Sequence, residues 1–465
     1  MTRRTWHPET TSGPSETMGQ IQTPIDLFKG WPNPQLLPPH QINEAATHIL
    51  SNPDNKDVLF YGPDEGYAPL LHQIAKWLSA FYPTQPIPPA RLCITGGASQ
   101  NLACILQTFT DPIYTRNIWM VAPTYYLACR IFADSGFDGR MKAVPEDEQG
   151  IDLDYLEKAL RISEEEANRA GNHVPKLKSA KPWRKIYKHV IYTVPTFANP
   201  SGRIMSLERR RALVRIARRY DALIVADDVY DMLQWSSSPS SYISSLSLDR
   251  ASLPRLVDVD RELDGGPLDT FGHAVSNGSF SKIVGPGVRT GWTEASEAFA
   301  YGLSQTGSSR SGGAPSHLTA SFISDMLATG TLQHHIRHTL QPAYHERYHI
   351  MMKAIREHLV PLGVTTPQAD KEVAGGYFIW LTLPSPVDAT NVWRHAQKEQ
   401  LVTIPGPKFK VDGDEDNEAT RFDRSMRLCF AYEEVGLLEE GVRRLSRLVN
   451  QEMQPSSETS ETSCG

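Results

Sequence analysis

SFSKIVGPGVRTGW, residues Ser279 to Trp292, is the stretch on which the fold turns. It sets one lysine, Lys282, among two serines, Ser279 and Ser281, and a Gly-Pro-Gly turn. Arg289 follows seven residues after the lysine. A lysine amine condenses with an aldehyde to give an imine, its main covalent use in catalysis. Hydroxyls and a planar guanidinium fork beside it suit a phosphate. An aldehyde that also carries a phosphate suggests pyridoxal 5'-phosphate. Taken alone, the lysine reads as part of an ordinary basic loop, and the other stretches decide against that.

RLCITGGASQNLACILQTF, residues 91 to 109, reads as a strand, a glycine turn and a helix. Backbone N–H groups at a helix start favour an anion, and glycines allow a phosphate to approach closely. Gly97, Ala98 and Ser99 are therefore the second half of a phosphate cup. VIYTVPTFANPSG, residues 190 to 202, is a continuous apolar strand that breaks at Asn199-Pro200. Such runs suit strands buried on both faces of a parallel sheet. ALIVADDVYDML, residues 222 to 233, repeats the pattern and ends in Asp227, Asp228 and Tyr230. Ligands of open α/β sheets bind at these strand ends. Two adjacent acids can also bind a metal, but no histidine lies near them, so no metal is expected. FDRSMRLCFAY, residues 422 to 432, holds Arg427 in an otherwise apolar strand. A buried guanidinium needs an anion, either a ligand's or that of Glu433 or Glu434 nearby.

GGASQ, NPSG, ADDVY and SFSK with Arg289, in this order, resemble the class I/II aminotransferases, pyridoxal-phosphate enzymes of fold type I. The resemblance covers roughly residues 24 to 450. It is closest to the branch with 2-aminoadipate, kynurenine and aromatic aminotransferases and their fungal relatives. It implies an α/β fold: a large domain with a mostly parallel sheet and a smaller α+β domain. It makes Lys282 the cofactor lysine and proton carrier, and puts Asp227 at the pyridine nitrogen. Tyr230 and Asn199 then bond the phenolic oxygen, and Tyr125 stacks on the ring, with core packing as the other reading of this aromatic pair. Tyr61, in LFYGPDEG, reaches across a homodimer interface to the partner's phosphate. Gly30, in GWPNP, lies on the substrate side unless it is a simple turn. Arg427, with Asn199, holds the substrate α-carboxylate. Many members carry a serine where this chain has Ala98, so backbone donors carry more of the phosphate binding here.

The implied reaction moves an amino group between an α-amino acid, aromatic or 2-aminoadipate-like, and a 2-oxo acid in ping-pong order. A carbon-sulfur lyase that runs β-elimination uses the same constellation. A non-catalytic relative is disfavoured by the intact lysine, aspartate and two arginines. A regulator would need a helix-turn-helix module, for which the N-terminal stretch is too short.

The 465 residues suffice for two domains. Expected are a disordered start at 1–22, a segment at 23–50 packed on the small domain, and a cofactor domain at 51–315. A small domain at 316–452 and a disordered tail at 453–465 follow. The net charge of −6 gives no general attraction to nucleic acid or anionic membrane. No apolar run nears the ~20 residues of a membrane span, and the start lacks a secretory apolar region. Five cysteines without paired spacing fit a reduced, cytoplasmic compartment. Residues 161–186 are charged, lack apolar periodicity and read as a surface excursion. Residues 235–272 read as a long loop with patchy structure. On the helix expected at 207–222, six arginines lie mainly on the solvent face.

Overall fold

The computed structural model describes residues 23–179, 181–239, 248–313, 315–367 and 372–454. The expected disordered start at 1–22 and residues 455–465 of the tail expected at 453–465 lie outside them, whereas Met453, placed in that tail, closes the last helix.

Eight strands form the central sheet: β1 (Leu92–Thr95), β2 (Ile118–Ala122), β3 (Met141–Asp147), β4 (Gly150–Ile151), β5 (His189–Thr193), β6 (Ala222–Asp227), β7 (Ala274–Ser279) and β8 (Gly291–Glu294). Their order is β1-β8-β7-β6-β5-β2-β3-β4. The five strands from β7 to β3 run parallel, whereas β8 and the short β4 are antiparallel to their neighbours. Every residue of β5, β6 and β7 is buried, which accounts for their unbroken apolar runs. The fold is α/β with a mostly parallel sheet.

Helices cover both faces. Helix α1 (Ala68–Phe81) buries Leu70, Leu71, Ile74, Ala75 and Leu78, the stripe its spacing predicts. Helix α2 (Ala98–Phe109) starts directly after β1. A second sheet has three antiparallel strands, Phe378–Thr382, Ser425–Cys429 and Ile404–Pro405. Helices α3 (Gln341–His358) and α4 (Leu438–Met453) pack together near it. The N-terminal strand Ile25–Asp26 runs parallel to Leu401–Val402, and Leu27 offers its carbonyl to Cys429. This ties the start of the described chain to the three-stranded sheet.

Two readings need correction, and a third gains detail. Residues 161–169 are the second half of a helix, Leu153–Arg169, that buries Leu156, Leu160, Ser163 and Ala167. The period is helical, but small or polar residues at the last two contacts hide it from an apolar count. The following loop is pinned, since Asp111 accepts the backbone N–H groups of Lys176, Leu177 and Lys178. In the arginine-rich helix, Arg210 and Arg218 are buried. Arg210 donates to the carbonyls of Met205, Pro195 and Pro254, and Arg218 pairs with Asp260 at 2.9 Å. The 235–272 stretch contains a helix, Leu256–Glu262, seated on the arginine-rich one.

Candidate active site

The 279–292 stretch leaves β7 and returns as β8. Ser279 closes the turn by accepting the Ser281 N–H at 3.2 Å and donating to the Ser281 hydroxyl at 2.9 Å. Between them Phe280 is fully buried, with Trp292 at 4.9 Å and Trp77 of α1 at 6.3 Å. This anchor sets where Lys282 emerges. The lysine is half-buried, but its ammonium end lies among the rings of Tyr377 (5.3 Å) and Tyr230 (5.8 Å) and donates to the Gly30 carbonyl at 2.8 Å. Burial, helped by the positive charge of Arg427, brings its pKa down to about 8.

Arg289 adopts a left-handed conformation, φ 46°, which turns its guanidinium back over the start of α2. It donates to the carbonyls of Gly96 (2.7 Å) and Pro286 (2.9 Å) and to Ser281 Oγ (3.4 Å). Gly97 caps α2 with φ +93°, and a Cβ there would stand 2.8 Å from Arg289 Nη2. Glycine is thus required both for the turn and for the close approach. Two hydroxyls, a guanidinium and the N–H groups of the first turn of a 12-residue helix converge here, a ready anion site.

Asp227 ends β6 and is buried. Its Oδ2 accepts the Tyr192 hydroxyl at 2.8 Å, and its Oδ1 faces Asn277 Nδ2 at 3.4 Å. Burial raises its pKa to about 6, against the lowering effects of Tyr192 and Lys282. Asn277 also donates to the Ala98 carbonyl at 3.1 Å and accepts from Asn101 at 2.7 Å, so Asp227 is linked to the start of α2. Asp228 occupies a different environment. It accepts the Ser276 hydroxyl at 2.5 Å and feels Asp231, Arg255 and Arg210, with its carboxyl held well above the usual range by burial. The two carboxylates therefore do not make one metal site.

Arg427 is buried at the centre of the three-stranded sheet. Nη1 donates to Asn199 Oδ1 at 2.9 Å and Nη2 to the Phe28 carbonyl at 2.6 Å. Its guanidinium lies 4.0 Å from the centre of the Phe378 ring. Nε is buried without a partner, and among the described residues no carboxylate pairs with it. Glu433 instead accepts the N–H groups of Asp26 and Glu434, while Glu434 takes the Gln35 amide. Glu433 and Glu434, the carboxylates nearby in sequence, are thus not the partners of Arg427.

These groups share one cavity of about 460 Å³. Its wall includes Gly30, Ala98, Ser99, Tyr125, Asn199, Asp227, Tyr230, Ser279, Ser281, Lys282, Arg289 and Arg427. Gly97 stands behind the wall, against Arg289. Tyr61 lies apart from this cavity and is 88% exposed, beside Gly312. Tyr192, Asn277, Asn101 and the cavity residues Phe28, Lys29, Trp31, Tyr126 and Phe378 were not legible as site residues. They sit inside ordinary apolar or turn patterns, and no local signal sets them apart. The donor set fits pyridoxal phosphate: a phosphate-sized anion cup, an amine of lowered pKa, a buried carboxylate, and a guanidinium short of one partner.

A family model for aminotransferase class I and II matches residues 32–445. An uncharacterized protein of Saccharomyces cerevisiae is 36% identical over 439 residues, covering 90% of this chain and 95% of that protein. The aromatic-amino-acid aminotransferase 1 of Thermococcus litoralis is 28% identical over 434 residues, covering 92% and 88%. The alpha-aminoadipate aminotransferase of Thermus thermophilus, solved with N-(5'-phosphopyridoxyl)-L-leucine, superposes with a TM-score of 0.70 at 26% identity, covering 92% of each chain. Family model, relatives and architecture agree: this chain belongs to the class I and II aminotransferases, pyridoxal-phosphate-dependent transaminases of fold type I.

Proposed function

We propose that this transaminase takes its amino group from an α-amino acid with an aromatic or 2-aminoadipate-like side chain and passes it to a 2-oxo acid in ping-pong order. The observation that carries the reading is the pairing of Lys282 with Arg427 in one cavity: an amine of pKa about 8 beside a buried guanidinium whose Nε has no partner. Phe28, Trp31, Tyr126 and Phe378 in the cavity wall support an aromatic side chain. The names of the relatives from Thermococcus litoralis and Thermus thermophilus point the same way.

Arg289, Ser279, Ser281 and the first N–H groups of α2, at Gly97, Ala98 and Ser99, would hold the phosphate. Asp227 would keep a proton on the ring nitrogen, Tyr125 would face the ring, and Asn199 and Tyr230 would bond the phenolic oxygen. When bound, the cofactor supplies an aldehyde for the amino group and a ring that accepts the electron pair left at Cα. Arg427 would hold the α-carboxylate, with Asn199 Oδ1 and the Phe28 carbonyl fixing the guanidinium plane. Gly30 would line the substrate side through the carbonyl that meets Lys282. Lys282 Nζ would carry the proton from the substrate Cα to the cofactor's aldehyde carbon in the first half-reaction and in the reverse direction in the second, a task suited to an amine titrating near neutral pH.

Two subunits would share the sites. The exposed run Leu59, Phe60 and Tyr61 (68%, 69% and 88%) supports a partner surface there, with Tyr61 serving the partner's phosphate. A cytoplasmic site of action is part of the same proposal, supported by five cysteines without paired spacing. No helix among the described residues is long and apolar enough to cross a membrane. Residues 51–315 and 316–452 would be the cofactor and small domains.

The test mixes holoenzyme with an amino-acid panel, follows the cofactor spectrum, and assays 2-oxo acid and ammonia separately. Product 2-oxo acid without ammonia is expected. Ammonia released in step with 2-oxo acid would make the protein a lyase. In Arg427→Lys, which keeps the charge but loses the fork, KM should rise about tenfold or more for both amino acid and 2-oxo acid at an unchanged melting temperature. A lowered melting temperature with normal KM values would take Arg427 out of the substrate site.

Tyr192→Phe tests the support of Asp227. The hydroxyl favours the ionised carboxylate, so its loss should push the titration of Asp227 above its present value near 6. The ionised share at pH 7 falls, and the acid limb of the pH–rate profile should move up by about one pH unit, the worth of a hydrogen bond to a charge. An unmoved acid limb would show that Tyr192 does not control this carboxylate.

A further inference from the structure

Tyr377 lies against the cofactor lysine without lining the cavity. It follows Gly375 and Gly376 in AGGYFIW and directly precedes the strand Phe378–Thr382. Gly376 has φ +74° and donates to the Leu233 carbonyl at 3.0 Å, and a Cβ on Gly375 would collide with the same carbonyl. The glycines thus let this segment pass close to the chain that follows β6, and Tyr377 comes to rest beside Lys282.

Its hydroxyl donates to the backbone carbonyl of Lys282 at 3.2 Å. A carbonyl only accepts, so the single phenolic proton of Tyr377 is committed there. The Tyr344 hydroxyl of α3, 3.1 Å away, must then donate to Tyr377. The chain of bonds therefore has one direction, from Tyr344 to Tyr377 to the Lys282 carbonyl. Both rings are fully buried, with centres 5.0 Å apart. The other side of the same peptide group is held as well, because the Ile283 N–H donates to the Phe280 carbonyl at 3.2 Å. With C=O and N–H both engaged, the peptide plane after Lys282 is fixed, and with it the direction in which the lysine side chain leaves. The four-carbon stem is flexible, so the amine is aimed only when its base and its tip are both held. Tyr377 secures the base, and the Gly30 carbonyl meets the tip.

We propose that Tyr377 is a positioning residue for Lys282: its hydroxyl, oriented by Tyr344, holds the backbone from which the amine reaches the substrate Cα. This rests on the reading of Lys282 as the proton carrier. The strand that Tyr377 leads into pairs with the strand of Arg427. The three-stranded sheet then sets the reach of the amine as well as the place of the α-carboxylate, and so aligns the base with the bond it breaks.

Tyr377→Phe removes the hydroxyl and keeps the ring. In the full-length apo protein, hydrogen exchange of the peptide over residues 280–285 should quicken about threefold or more, with peptides of β5 and β6 unchanged. The amides of Ile283, Val284 and Gly285 report on this turn because all three bond the Phe280 carbonyl. In holoenzyme, the single-turnover rate with an amino acid, followed in the cofactor spectrum, should fall about tenfold. Half-saturation should stay within about twofold, since Arg427 is untouched. Tyr344→Phe should slow the step less, and the double variant should match Tyr377→Phe within about twofold, because both hydroxyls act through one bond. An unchanged single-turnover rate in Tyr377→Phe would overturn the proposal. So would quickened exchange spread over the whole sheet, the mark of a general loss of stability. Multiplied effects in the double variant would overturn the role of Tyr344. A wild-type holoenzyme that gives no half-reaction with any amino acid would sink the transaminase reading instead, and the exchange of the 280–285 peptide would still decide whether the hydroxyl holds the turn.

Discussion

Lys282→Ala is expected to bind pyridoxal phosphate without covalent attachment and to lose transamination by about four orders of magnitude or more. Two functions are removed at once, the covalent tether and the base that moves the Cα proton. The surroundings explain why no other residue takes over. The amine emerges beside Gly30, Tyr230 and Tyr377 from a turn locked by Phe280, and the remaining cations in the wall are two arginines and the more exposed Lys29. Borohydride reduction of wild type followed by peptide mapping should find the cofactor on Lys282, and the variant should give no adduct. Small amines added to the variant should restore part of the rate, because they supply a base of the missing kind. An adduct on another lysine, or activity within about tenfold of wild type, would remove Lys282 from its role.

Asp227→Asn should lower turnover by several kcal/mol of barrier, each ~1.4 kcal/mol being tenfold in rate. The same change should stabilise the apo protein at neutral pH. Burial lifts this carboxyl from 3.8 to about 6, so the fold disfavours its ionised form. Roughly two pH units at about 1.4 kcal/mol each give a penalty on the order of 3 kcal/mol. The penalty is absent below the unfolded pKa near 3.8, grows between there and 6, and is full above. Melts of apo wild type and variant should therefore coincide near pH 4 and diverge by a few degrees at pH 7 to 8, with the variant higher. Equal melts at both pH values would show that the carboxylate is not strained by burial. Asp228→Ala should behave differently. It leaves the buried Ser276 hydroxyl without its acceptor and empties the space of a buried side chain, so the melting temperature should fall. An inactive Asp228→Ala of normal stability, beside an active Asp227→Asn, would reverse the assignment.

The sequence by itself determined the α/β fold with its mostly parallel sheet, the cofactor, and the order of the strand-end motifs. These were legible because their causes are local. An apolar run buried on both faces looks the same wherever its strand lies in the sheet, and a glycine turn before a helix makes an anion cup from consecutive residues. The loop from Ser279 to Arg289 likewise carries its serines, lysine and arginine within one turn. Where the pattern failed, local chemistry misled: Ser163 and Ala167 concealed a buried helical face, and Arg210 and Arg218 were buried on a helix that reads as solvated.

Tertiary structure alone decided which partners each polar group meets. Adjacent residues at a strand end point to opposite sides, and this separates Asp227 from Asp228 although nothing in ADDVY distinguishes them. Tyr192 reaches Asp227 because β5 lies beside β6, and Asn101 meets Asn277 because α2 crosses β7. Arg427 lost its nearby carboxylates as structural partners because Glu433 and Glu434 turn to backbone N–H groups and an amide, while Phe28, some 400 positions earlier, supplies a carbonyl. Tyr377 meets the Lys282 carbonyl, 95 positions away, because the Gly375-Gly376 turn passes against Leu233. Each of these contacts joins segments distant in sequence. Their geometry follows from sheet order and helix crossing, which no window of neighbouring residues encodes.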